Sequence, residues 1–344
     1  MIVLVLVMTE AAVASTYSFS LLEQFPHASR FCCSGSSVAR WTCGNKAGFV
    51  IEPSFRQNPR MNKTATLVIS TGVFVVLFCL EKLFPLRRRT VAFWRRLAIN
   101  LVIAALALTV VGLIVRPASD HALLWTSQNQ FGLLAMFRIP GWLAAAAGFL
   151  LLDLSFYYWH RANHTLPLLW RFHNVHHIDG DLDVTTAFRF HAVEIALSAV
   201  FRVVQILALG VSVWTYAVYE LVFQAGTLFH HSNLRLPVRL EHLLSKIVVT
   251  PRMHAIHHSQ VQREANSNYS TVFSWWDRMH RSLRLGIHQK DILIGVPAYT
   301  GREDRSLLHS LVAPFKTQKS YWLSENGTPV TRESAEAQNL SMLD

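Results

Sequence analysis

Long apolar runs confine this chain to a bilayer. From Thr64 to Leu80 it is apolar for 17 residues, extended to Phe84 with only Glu81 and Lys82 interrupting. A helix of about 20 such residues crosses a hydrocarbon core of about 30 Å. Leu97 to Val115 forms a second run, and Trp142 to Trp159 a third that carries Asp153 and ends at His160. The stretch Ala192 to Phe229 has about twice the length of one span, and Gly210 near its middle predicts a tight helical hairpin. Spans are therefore expected at about 64–84, 97–115, 142–159, 192–209 and 211–230, with a loop containing Pro117, Asp120 and His121 after the second. The composition agrees: 51% hydrophobic residues, 15% charged and a mean hydropathy of +0.27 exclude a disordered chain and an ordinary soluble one. Four Cys, three of them at Cys32, Cys33 and Cys43 and the last, Cys79, inside an apolar run, form neither a disulfide framework nor a thiolate metal site.

The net charge of +11 and pI of about 9.9 suit either nucleic acid or an anionic membrane surface. Arg87, Arg88, Arg89, Arg95 and Arg96 lie in one short loop between two apolar runs, so the membrane reading holds and nucleic acid is no partner. The positive-inside rule makes that loop cytoplasmic. From it, the second span leads outward, the third returns at His160, and the hairpin leaves after His191 and comes back at His230. Every histidine cluster then falls on the cytoplasmic face of a multi-pass membrane protein. Glu194, Arg202 and Glu220, inside or at the ends of spans, must face the bundle or water.

The expected organisation is an unassigned extension over 1–60, a membrane domain over 61–315 and a mobile tail over 316–344. Residues 1–60 sustain no helical periodicity. Ala12 to Ser15 resembles a cleavage site, but the run Ile2 to Met8 is short and has no positive charge before it. The expectation is that Met61 is the native start.

The chain holds 17 His, and 12 of them fall between His160 and His258. Three groups have ligand spacing: His160 with His164, His173 with His176 and His177, and His254 with His257 and His258. Residues three and four apart on a helix share a face, so each group can aim two or three imidazoles at one centre. His121, His242, His280, His288 and His309 read instead as interfacial or hydrogen-bonded residues. Imidazole suits Zn, Cu, Fe and Ni, and eight or more convergent rings exceed one four-coordinate site, which implies two metals. Arg161 stands where the Glu of an H-E-x-x-H zinc protease would be, which removes the usual base for peptide hydrolysis. Two irons on neutral nitrogens at a membrane surface suit O2 activation and attack on an unactivated lipid C–H bond. A dizinc membrane hydrolase and a histidine-based metal transporter are the alternatives.

The order and flanks of these groups resemble the fatty acid hydroxylase / sterol desaturase superfamily. The residues that carry the likeness are Asp153 to His164, Trp170 to His177, Arg189-Phe-His191-Ala-Val-Glu194, His231-Ser-Asn233, Thr250 to Ser259, Asn268-Tyr269 and Trp276-Asp277. The resemblance implies an all-α membrane protein of four to five transmembrane helices with a cytosolic helical cap enclosing a histidine-rich dimetal site. It also implies a lipid hydroxylase or desaturase that uses two Fe ions and O2, with Zn an occupant the ligands also allow. Carried over position by position, the ligands are His160, His164, His173, His176, His177, His254, His257 and His258, with His191 and either His230 or His231 added. Ala192, Ser270 and Met279-His280-Arg281 depart from the family's pattern and bear on the closing loop.

Asp153, two turns before His160, is expected to accept an imidazole N–H. Arg161, Asn174, Asn233, Asn268 and Asp277 are further expected partners of the site. Thr250 and Pro251 read as the cap and first turn of the helix bearing His254. No dinucleotide-binding Gly motif, cysteine cluster or haem attachment sequence occurs, so electrons must come from a partner: a ferredoxin, a cytochrome b5-type protein or a reductase.

Overall fold

The computed structural model describes residues 63–335 apart from Arg138. The N-terminal extension, the expected start at Met61 and the last nine residues of the tail lie outside the described residues. Those described form helices and a few isolated bridges, with no strand among them. The bundle helices are α1 (Lys63–Leu83), α2 (Phe93–Val110), α3 (Arg116–Asn129), α4 (Gly141–Thr165), α6 (Ala192–Leu209) and α7 (Val213–His231). Between α4 and α6 lies α5 (Pro167–His177), and the cap contains α8 (Val238–Leu244), α9 (Pro251–His257), α10 (Gln262–Ala265), α11 (Trp275–Met279) and α12 (Leu307–Val312).

Four helical runs are long and apolar enough to cross a membrane: Thr66–Leu83, Phe93–Met136, Gly141–Thr165 and Ala192–Leu209. The expected fifth span corresponds to α7, 19 residues that include Glu220 and His230. The hairpin forms as expected, because Gly210 ends α6 in the left-handed region and Ser212 caps α7 by accepting from Thr215 N. The loop expected around Pro117, Asp120 and His121 does not form. A π-turn over Val111–Val115 joins α2 to α3, and Pro117 enters in the first turn of α3, where its missing N–H costs no bond. The break comes later, at Gln130 (φ 48°) and Gly132 (φ 108°).

Gly132 and Gly210 show that two turns meet at one end of the bundle. A Cβ on Gly132 would overlap the Gly210 backbone, and a Cβ on Gly210 would overlap Phe131 O. Leu123, Leu152, Ile206 and Tyr219 bury the apolar faces of α3, α4, α6 and α7 near that end. The Arg-rich loop lies at the other end, held by Leu86 N to Asn233 O at 2.7 Å and Arg87 N to Asn233 Oδ1 at 3.0 Å. Glu81 is buried at the same level, where its Oε2 accepts from the backbone N–H of Val184 and Asn233, each at 3.0 Å. A span-terminal carboxylate thus satisfies two amides that neither water nor lipid could reach.

The tail expected to be mobile from Lys316 packs as far as Ala335. Trp322 stacks on Trp170 with ring centroids 5.5 Å apart, and Arg332 pairs with Glu264. Trp170 in turn lies 4.8 Å from the His164 ring, so this segment backs the histidines. Its apolar rings supply the burial that its polar composition concealed.

Candidate metal centre

The local sequence explains how each histidine arrives. His160 and His164 occupy one face in the last turns of α4, and α5 begins with Pro167 in its first turn and carries His173, His176 and His177. Thr250 accepts from Met253 N and Pro251 opens α9, as expected, so that His254, His257 and His258 project from one short helix and its C-cap.

These rings sort into two groups. His160, His164, His173, His177 and His257 form one, and His176, His231, His254 and His258 form the other. Within each, the ligand-capable nitrogens lie within 4.8 Å of one another. In the second group the Nε2 atoms are closer still: His231 to His176 at 3.1 Å, His254 to His231 at 2.9 Å and His258 to His254 at 3.2 Å. His231 Nδ1 donates to Thr227 O at 2.8 Å, so its neutral ring presents a lone pair at Nε2. Four nitrogens at 2.0–2.1 Å from one tetrahedral ion stand about 3.3 Å apart, close to the observed spacing.

The first group is braced from outside. His160 Nδ1 bonds Tyr269 O, His173 Nδ1 bonds Glu194 Oε1 and His257 Nδ1 bonds Ser267 O, each at 2.7 Å. Such bonds fix the ring and turn Nε2 toward a metal. The Nε2 atoms of His164, His173, His177 and His257 are buried and without any partner. Burial, reinforced by neighbouring imidazoles, holds His176, His177, His254, His257 and His258 well below the ordinary imidazole range. Burial thus favours the uncharged rings, and buried ring nitrogens without a partner are costly unless a cation takes them. The donor set fits two borderline metal ions such as iron or zinc.

The other expected site residues stand elsewhere. His191 caps α6, accepting from Val193 N at 3.1 Å, and its Nε2 bonds Leu311 O; it joins neither group. His230 also stands outside both groups, although its ring centroid is 4.1 Å from that of His254 and its Nδ1 bonds Thr271 O. Asp153 meets no imidazole. It accepts from Phe273 N at 3.0 Å and Trp276 Nε1 at 2.7 Å, pinning the segment before α11 against α4. Asn233 clasps the Arg-rich loop, and Asn268, at φ 53°, bridges Met253 O to the backbone of Arg284. Asp277 accepts from the N–H groups of Tyr269 and Ser270 at 2.9 Å, and so holds the carbonyl that His160 uses. Asn174 is buried with Oδ1 unpartnered, whereas Arg161 is exposed. In the departing segment, His280 stacks on Tyr157 and bonds Tyr158 OH at 2.7 Å, which closes the loop onto α4.

Two supports escaped the sequence reading. Glu194 was legible as a charge in an apolar span, but its partner His173 was not. The second is the Asp179-Gly-Asp181-Leu-Asp183 turn after α5. Arg96 reaches Asp179 through Nε at 2.6 Å and Nη2 at 2.8 Å, and Asp183 through Nη1 at 2.6 Å, all buried. Burial works to raise both carboxyls, but Arg96 outweighs it and holds them below the usual range. Arg189 extends the network to Asn100 Oδ1 at 2.7 Å and Val175 O at 2.9 Å.

A cavity of about 230 Å³ opens from His160, His173, His176, His231 and His254 into the bundle, walled by Ala107, Val111, Phe156 and Phe223 among others. It brings an apolar chamber from the membrane domain to both histidine groups.

The fatty acid hydroxylase family profile matches residues 145–282. The chain is 30% identical over 172 residues to the ornithine lipid hydroxylase OlsE of Rhizobium tropici, covering 49% of each chain. It is 30% identical over 136 residues to human alkylglycerol monooxygenase, covering 39% of this chain and 29% of that one. Cholesterol 25-hydroxylase of Rattus norvegicus is 26% identical over 162 residues, 46% of this chain and 53% of the relative. The chain thus spans about half the length of the first and last of these relatives and less of the other. No solved structure matches it. The profile encloses all nine histidines of the two groups, so the segment that carries both of them is similar to the fatty acid hydroxylase family.

Proposed function

We propose that this protein is a membrane-bound di-iron oxygenase that hydroxylates a lipid. The observation that carries the reading is a pair of histidine groups, eight of their nine rings buried, opening onto an apolar cavity that descends into the bundle. His160, His164, His173, His177 and His257 would hold one ion, and His176, His231, His254 and His258 the other. Bound iron would supply reductive activation of O2: one oxygen atom enters a C–H bond, the other leaves as water, and a partner supplies two electrons and the solvent two protons. That partner is a ferredoxin, a cytochrome b5-type protein or a reductase.

The chain's own residues position and exclude. Glu194 and the carbonyls of Tyr269, Ser267 and Thr227 keep ring nitrogens aimed inward. Phe156, Phe188 and Phe223 wall the cavity against water, so a hydrocarbon chain is held beside the histidines in a dry site. The histidine end faces the cytoplasm on this reading, because the Arg-rich loop packs beside it. The histidines occupy span ends and not the bilayer midplane, which favours an enzyme over a transporter.

The test is metal analysis of anaerobically purified protein, followed by turnover on membrane lipid under isotopically heavy dioxygen. Iron in both groups and heavy oxygen in a lipid alcohol are expected. Zinc alone with hydrolytic activity, or an alcohol whose oxygen comes from water, would sink the reading.

A further inference from the structure

The far end of the cavity is charged. Arg202, on α6, pairs through Nη1 with Glu220 of α7 and donates from the same atom to Tyr216 OH at 3.1 Å. Both Arg202 and Glu220 line the cavity, as does Gln224, one turn on from Glu220. Arg202 lies past the midpoint of a span, where a charge is costly unless it serves a paired or functional role. Both of these bonds run through Nη1, so the donors on Nε and Nη2 are uncommitted among the described residues.

Helix rise gives the distance from this end to the histidines. Eight residues of α6 separate Arg202 from Glu194, the partner of His173, or about 12 Å; eleven residues of α7 separate Glu220 from His231, or about 16 Å. Between them the wall is mostly apolar, with Leu108, Val111, Phe156 and Phe223.

Resting on the oxygenase reading, we propose that Arg202 and Glu220 bind the hydroxyl end of a neutral amphiphile whose hydrocarbon end reaches the histidines. An alcohol matches the pair because its oxygen accepts from Arg202 while its O–H donates to Glu220. A fatty carboxylate would compete with Glu220 for Arg202 and set two anions side by side. A phospholipid would have to bring its charged headgroup to mid-span, which the bilayer opposes. The substrate enters with its polar end away from the histidine face, and the reacting carbon lies far along the chain from its hydroxyl. Arg202 and Glu220 thereby set which carbon is presented.

The test uses the full chain in lipid nanodiscs and needs no turnover. The probe is a saturated primary alcohol of about fourteen carbons, long enough for the ~12–16 Å separation, with a photoreactive diazirine near either end. A diazirine at the methyl end is expected to label peptides bearing Thr227 to His231 and Ser270 to Thr271. One beside the hydroxyl is expected to label those bearing Val111 to Val115 and Glu220 to Phe223. Glu220→Gln and Arg202→Gln should abolish this polarity and weaken labelling at least ten-fold at unchanged metal content, and the matching fatty acid should label weakly. Reversed polarity, uniform labelling of lipid-facing surfaces, or equal labelling by the acid would overturn the proposal. Should the variants fail to fold, the wild-type map still decides. Iron content and oxygen origin judge the enzyme reading separately, so the two can fail independently.

Discussion

The two histidine groups are built differently. In the five-histidine group, three rings are tied outward to Tyr269 O, Glu194 and Ser267 O, so their orientation is set by the fold. The four-histidine group has a single such tie, from His231 to Thr227 O, and its shortest contacts run between its own Nε2 atoms. Nitrogen lone pairs that close repel unless a proton or a cation lies between them. On the proposed reading the first group is therefore preorganised for a metal, whereas the second would rely on a bound ion for its shape.

Removing a ring from each group gives the largest contrast. His254→Ala strips the imidazole whose Nε2 contacts both His231 and His258, leaving three rings. It should empty the second group and lower activity by more than the roughly 100-fold seen for outer partners of metal ligands. His164→Ala leaves four rings in the first group, and metal there should be retained at reduced affinity. Metal counting on both variants checks this, and equal losses would erase the difference between the groups.

Arg96→Met probes what the two groups share. Helix α5 feeds His173 and His177 to one group and His176 to the other, and the Asp179 to Asp183 turn that anchors its end depends on Arg96. Stripping one partner from a buried ionic network costs about 3–5 kcal/mol, and both groups should loosen together. In the wild type, Asp179 and Asp183 are held below their unfolded values near 3.9, so their contribution is present above that pH and lost as pH falls through the folded values. Without Arg96, burial pushes both above their unfolded values, and stability then falls as pH rises through the raised ones. The destabilisation measured by thermal unfolding should thus be larger at neutral pH than near pH ~4.

What the sequence reveals follows the range of each interaction. Hydropathy places the span positions and the Gly210 hairpin, because lipid acts on each segment separately. Three- and four-residue spacings assemble the histidine clusters, because helical neighbours share a face. The choice of His231 over His230 needs the exact rotation of α7 against α9, which spacing leaves open by about 100° per residue. Glu194 with His173, 21 residues apart, and Arg96 with Asp179, 83 apart, form only after the helices pack. Asp153 shares a face with His160, yet the competing demand of the Phe273 and Trp276 N–H groups takes its carboxylate. The apolar run that ends at Val115 continues as helix to Asn129, since Pro117 sits where a new helical turn tolerates it.

Glu194→Gln sharpens the comparison at a smaller scale. The substitution keeps the volume but replaces an anionic acceptor of the His173 N–H with a neutral amide, weakening the tie that polarises and aims that ring. Metal affinity in the five-histidine group should fall about 10–100-fold while the four-histidine group is untouched.

The smallest effect is expected at His230. Its ring lies beside His254 and lines the cavity, yet its Nδ1 is committed to Thr271 O and it joins neither group. His230→Gln keeps a polar group at that position and should leave metal content unchanged, lowering activity only through the altered cavity wall. His231→Gln, one residue along, removes the Nε2 that touches His176 and His254 and should empty the second group. The neighbouring pair therefore tests the helix rotation directly: metal loss in the His230 variant with retention in the His231 variant would reverse the assignment.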